Sequence, residues 1–174
     1  MIFLKLLSKF IGVLRSGAKP NEIAWGFALG TVLGFTPFRG AHTLVVILLL
    51  CILRVNVSAA MFSWLVFSLF AFLLDPLFHS LGFFVLTGIP ALVPFWTSLY
   101  NAPVAPLTRF NNTVFMGSLL VSIVLLVPNF LFFKWFVESY RESWNAKIKK
   151  WKVVKALNAS SAVQWYFKVR ELGG

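Results

Sequence analysis

Acidic residues are nearly missing from this 174-residue chain, which has five of them against sixteen lysines and arginines, and only two histidines and one cysteine. Each shortage excludes a class of chemistry. Glu22 and Asp75 are the only acids between the tails, so no carboxylate pair is available for general acid–base work, and no nucleophile elbow, phosphate-binding loop or metal-spaced cluster appears. The single cysteine, Cys51, sits in an apolar run, which rules out an internal disulfide and leaves zinc without a ligand set. The chain is therefore not expected to be an enzyme, to carry a cofactor or to hold a metal.

Charge as a whole is scarce: 12% of residues are charged, 59% are hydrophobic, and the mean hydropathy is +0.85. Those values lie outside the soluble range and predict an integral membrane protein. The net charge of +11 would suit nucleic acid only if a soluble domain presented it, and its distribution argues otherwise. Lys5, Lys9, Arg15 and Lys19 precede the apolar middle, nine basic residues lie at or after Lys134, and only Arg39, Arg54 and Arg109 lie between. Basic ends around an apolar middle follow the positive-inside rule, so both termini are expected in the cytoplasm, with the bilayer and its anionic phospholipids as partners and no nucleic acid.

What is present is organised around Pro20 to Arg54, whose apolar sequence is interrupted at its centre by Thr36, Pro37, Arg39, Gly40 and His42. The run Ile23 to Phe35 makes roughly 20 Å of helix and the run after His42 slightly less, whereas a bilayer core is about 30 Å thick. Neither arm spans alone, and one straight helix of roughly 46 Å would be too long. Proline and glycine at the midpoint oppose straightness in any case. A re-entrant helical hairpin over 20–54 is the expectation. Pro20 and Glu22 suit the first turn of its first arm. Gly26, Gly30 and Gly34, four apart, share a face that lets another helix approach closely.

Ahead of the hairpin, Phe3, Leu6, Leu7, Phe10 and Leu14 recur at helical spacing with Lys5, Ser8, Lys9 and Arg15 largely opposite. Those lysines and the arginine break any signal-peptide core, and no cleavage site follows, so the segment is expected to be retained. Residues 1–19 read as an amphipathic helix in the headgroup plane, with packing against the rest of the protein as the alternative. Beyond the hairpin, an uncharged run predicts a spanning helix over 58–75, ended by Asp75-Pro76. The next apolar stretch is broken by Gly82, Gly88, Pro90 and Pro94, and reads as a second re-entrant or interfacial element. A second span follows over 112–133, kinked at Pro128. Residues 134–174 then form a basic cytoplasmic tail, in which Lys147, Lys149, Lys150, Trp151, Lys152 and Lys155 mix lysine with aromatics as a membrane-surface segment does. Hairpin then span, broken element then span, suggests two halves related as an inverted repeat. The fold class is all-α, a polytopic integral membrane protein forming a single membrane domain.

The residues Pro20, Ile23-Ala24, Gly26, Gly30, Gly34, Pro37, Gly40, His42-Thr43 and Arg54-Val55-Asn56 resemble the signature of an uncharacterised bacterial inner-membrane family, domain of unknown function number two thousand and sixty-two. The resemblance covers roughly Pro20 to Gly82. It departs at Asp75-Pro76, where members often carry Asn-Pro. It implies a small protein of the bacterial cytoplasmic membrane and supplies no reaction.

Two places carry candidate chemistry. Asp75 and His79, four apart, would share a helical face as a proton relay requires, whereas the structural alternative has Asp75 capping a helix that starts at Pro76. At the hairpin tip, an arginine at the bilayer centre costs about 2.5 to 3.5 kcal/mol on insertion scales. Arg39 therefore either snorkels to an interface or binds an anion. For the second case the expected site is Arg39 with Gly40, His42, Thr36 and Thr43, the backbone amides of the second arm pointing at the ligand. The function expected is transport or translocation of an anionic lipid or solute through a cavity lined by the hairpin. The alternative is an accessory or scaffold subunit, its partner another membrane protein or a second copy of itself.

Overall fold

The computed structural model describes residues 2–38 and 40–144, and among these no strand occurs. Its α-helices are, in order, α1 (Ile2–Leu14), α2 (Pro20–Phe35), α3 (Ala41–Ile52), α4 (Val57–Thr87), α5 (Val93–Tyr100) and α6 (Thr113–Ser139). Short 3-10 turns at Pro90–Leu92 and Ala105–Thr108 link the last three, and a π turn, Tyr140–Trp144, continues α6. The chain divides into two compact units, residues 18–134 and residues 1–17 with 135–174.

In the larger unit, α2 and α3 form a hairpin tied together at its base. Pro20 occupies a first-turn position where no N–H is needed, and the Lys19 N–H donates to Glu22 Oε2 at 3.1 Å. The helix ends at Phe35 because Pro37 has no N–H to extend it. After α3 returns, the Asn56 N–H donates to the Glu22 carbonyl at 2.9 Å. The two arms therefore rise and come back to one level. Leu29, Val32 and Leu33 of α2 meet Val46 of α3, with Leu49, Leu50 and Trp64 packed around them.

Asn56 then caps α4, its side chain accepting the Ala59 N–H at 2.9 Å. From there α4 runs parallel to α2 along the glycine face. Gly26 lies against Asn56 and Ala59, Gly30 against Ala60 and Ser63, and Gly34 against Trp64 and Phe67. A Cβ at position 26 would stand 2.5 Å from the Asn56 carbonyl oxygen. The two backbones touch only because three side chains are missing. The Ser63 hydroxyl uses that proximity to donate across to the Phe27 carbonyl at 2.7 Å.

α4 does not stop at Asp75. The helix expected over 58–75 runs from Val57 to Thr87 with Pro76 inside it, so Asp75 is no N-cap. The physical reason is a comparison of losses: Pro76 forfeits one backbone bond, whereas ending the helix there would leave about four carbonyls without helical partners. The second broken element is corrected accordingly. Its first third is the end of α4, and the remainder is α5 and two short turns rather than a second pair of arms. Trp96 anchors this stretch by donating its indole N–H to the Val85 carbonyl at 3.0 Å, beside a core of Phe110, Phe115 and Met116. The halves are not alike, although α4 and α6 both begin on an asparagine cap; Asn112 accepts the Phe115 N–H at 2.9 Å.

α6 runs antiparallel to the far half of α4. Gly82 faces Thr113 and Gly117 faces Phe78 so closely that a Cβ on either glycine would overlap the opposite backbone. The span expected over 112–133 is longer than predicted, because the helix passes through Pro128 to Ser139 and takes in Lys134 and Trp135, which were assigned to the tail. α4 and α6 are both long and apolar enough to cross a membrane, yet only 17% and 28% of their most apolar windows are buried. Phe72, Leu73 and Val124 are among the apolar side chains left more than two-thirds exposed.

The smaller unit joins the N-terminal helix to the end of α6. Val13, Leu14, Val137 and Tyr140 are buried, and Phe10 meets Phe136 with ring centroids 5.8 Å apart. Arg15 Nε donates to the Tyr140 hydroxyl at 3.1 Å, and Arg141 Nη2 donates to the Ser16 carbonyl at 2.8 Å. The apolar edge of α1 is therefore a packing surface along its last turns, which is the alternative weighed for residues 1–19.

Candidate functional site at the hairpin tip

Thr36 to Gly40 form the turn, and the residues around it do two different things. On the α3 side, Thr43 Oγ1 donates to the Phe38 carbonyl at 2.7 Å, and the His42 ring folds back over Gly40, where a Cβ would lie 2.5 Å from Nδ1. That ring packs on Phe115 at 4.9 Å, and its Nδ1 is buried with no hydrogen-bond partner among the described residues. On the α2 side, the buried Thr36 hydroxyl donates to the Val32 carbonyl at 2.6 Å. Both threonine hydroxyls thus use their protons inside the hairpin. What remains to face an anion is the backbone of α3's first turn, whose N-cap Gly40 has no side-chain bond.

Gly40, His42, Thr36 and Thr43 are brought to one turn, with Pro37 beside them; Gly26, Gly30 and Gly34 line the α2–α4 contact instead. Arg39, and the tail residues Lys147, Lys149, Lys150, Trp151, Lys152 and Lys155, lie outside the described residues.

Beside the turn is a cavity of about 310 Å³. It is lined by Gly34 to Pro37 at the end of α2, by Ser68, Ala71, Phe72 and Asp75 of α4, and by Val114 at the start of α6. The sequence reading missed this set. Its signal was a lone carboxylate midway along an apolar run, which the following proline disguised as a helix cap. His79, expected to share a face with Asp75, bonds elsewhere: its Nδ1 is 2.6 Å from Thr113 Oγ1. Among the described residues no group of three or more histidines, cysteines or acids could hold a metal.

The signature residues of the hairpin, Gly26, Gly30, Gly34, Pro37 and Gly40, are thus the ones that close the α2–α4 contact and turn the chain. Residues 5–145 match the family described as "Uncharacterized protein conserved in bacteria (DUF2062)". The chain belongs to this family. A protein from Treponema pallidum (strain Nichols), described as "Uncharacterized protein", is 26% identical over 135 residues, which is 78% of this chain and 83% of that protein. No solved structure matches the chain. The matched residues extend past the resemblance over Pro20 to Gly82, from within α1 through the hairpin, the cavity walls and all of α6.

Proposed function

We propose that this member of DUF2062 is a multi-pass protein of the bacterial inner membrane that moves an anionic lipid or solute past the hairpin tip. In this reading α4 and α6 cross the bilayer, and the hairpin enters from the cytoplasmic side without crossing. Several observations support it. The long helices turn apolar side chains outward, as a lipid-facing helix does and a soluble core helix does not. The hairpin returns to its own base through Asn56 and Glu22, and its arms are each too short to span. Arg15 bonds Tyr140 and Arg141 bonds Ser16 within one unit, which supports a reading in which both ends of the membrane domain lie on the side where positive charge is retained.

The observation that carries the transport reading is the tip cavity. At about 310 Å³ it falls at the lower end of ligand-pocket volumes, near 300 Å³. That suits a headgroup or small solute rather than acyl chains. The ligand's anionic group would sit on the α3 side, at the free amides after Gly40 with Arg39. The accessory-subunit alternative loses its main support, since the glycine face meant for a partner is already occupied by α4.

Native mass spectrometry of gently extracted protein tests the reading. Wild type is expected to retain anionic lipid, and Ala71→Phe, which fills the cavity, to lose it while keeping its helical circular dichroism. Equal retention by a folded Ala71→Phe variant would remove the cavity from the function.

A further inference from the structure

We propose that the tip cavity is a binding site for a hard monovalent cation, Na⁺ in class, held by Asp75. The inference rests on the reading of α4 as a membrane span and deepens it, by naming what accompanies the anionic ligand.

Among largely apolar neighbours, the cavity lining holds three polar side chains, Thr36, Ser68 and Asp75. Asp75 contributes the only aspartate of the chain, about three-fifths of the way along α4 and half-buried. Ser68 Oγ donates its proton to the Leu65 carbonyl at 2.9 Å and Thr36 Oγ1 to the Val32 carbonyl, so each hydroxyl has only lone pairs left to offer. Two prolines then free carbonyls in the same neighbourhood. Pro76 cannot close the helical bond to the carbonyl of Phe72, a lining residue, and Pro37 cannot serve the carbonyl of Leu33 in the last turn of α2. Carboxylate, carbonyl and hydroxyl oxygens are the ligand set of hard cations and not of zinc or copper.

Charge fixes the valence. The α2 C-terminus brings roughly half a negative charge and the first turn of α6, at Val114, roughly half a positive one. These oppose each other and leave the single charge of Asp75. A divalent ion would leave an uncompensated charge among apolar helices, which is expensive. A monovalent ion balances it. This also accounts for two opposite helix ends at one tip: the end of α2 faces the cation, and the start of α3 faces the anion carried with it.

Arg39 lies two residues along the chain from Pro37, so the experiment also includes a variant that removes its charge. The experiment measures ²²Na⁺ binding to the purified full chain in nanodiscs, at constant ionic strength with choline as the replacement ion. The variants are Asp75→Asn, nearly the same shape as wild type, Ser68→Ala, and Arg39→Gln. Saturable binding by wild type, lost in Asp75→Asn, weakened in Ser68→Ala and retained in Arg39→Gln, is the expected result. Absence of binding in wild type overturns the proposal. If binding then appears in Arg39→Gln, Asp75 belongs to an internal ion pair; if it does not, the carboxylate has no cation role. Binding unchanged in Asp75→Asn also overturns it. Anionic lipid retained by the wild type is counted separately, so a wild type that binds Na⁺ but retains no anionic lipid counts against the transport reading and not against the cation site.

Discussion

Arg39 is the only lysine or arginine between Lys19 and Arg54. A guanidinium offers a planar fork that grips a phosphate or carboxylate with two bonds, whereas lysine is a point charge. Arg39→Lys is therefore expected to weaken lipid retention and Arg39→Gln nearly to abolish it, counted as lipid per protein at matched expression. If arginine were there only to snorkel, lysine would serve equally well, and full retention by Arg39→Gln would remove the anion role. The threonines beside it were legible as hydroxyls but not as donors. Whether Thr36 and Thr43 keep a proton for a ligand depends on the carbonyl each meets, Val32 and Phe38, and those positions are set by the turn.

At the scale of helices, two glycine contacts do different jobs with the same physics. Gly26, Gly30 and Gly34 set α2 against the first half of α4, and Gly82 with Gly117 sets α6 against the second half. Spacing of four announced the first contact in the sequence. The second, one glycine on each helix, carries no period and could not be read. Gly82→Ala and Gly117→Ala are each expected to destabilise by about 1–3 kcal/mol, since the added carbon meets backbone that cannot turn away. Gly12→Ala has nothing within 4 Å of the new carbon and should be neutral or stabilising by up to about 1 kcal/mol. Thermal unfolding in one detergent compares all three, and a Gly82→Ala protein as stable as Gly12→Ala would mean that the α4–α6 crossing is looser than its geometry. Pro76 belongs to this scale too. As a residue it signals a stop, but inside 31 residues of helix its single lost bond is outweighed by the bonds on either side.

For the whole molecule, the expected topology has both tails inside, the hairpin entering from that side, α4 running outward and α6 returning. Arg109, in the connection between them, then lies outside as a tolerated exception to the charge rule. Reporter fusions at Lys19 and after Lys155 should both give cytoplasmic signals, with a fusion at Asn101 giving a periplasmic one. A periplasmic signal from either tail would overturn the arrangement.

The apolar composition and the length of the apolar runs alone pointed to an all-helical chain with helices long enough to span, because hydropathy and charge placement are sums over residues and need no contacts. The hairpin was legible for the same reason: Pro37 and Gly40 act on their own backbone. The tertiary structure alone decided that Asp75, distant from the turn in sequence, shares a cavity with the end of α2. That juxtaposition depends on α4 lying parallel to α2 and continuing past the tip, and a sequence read one segment at a time cannot state which segments run side by side.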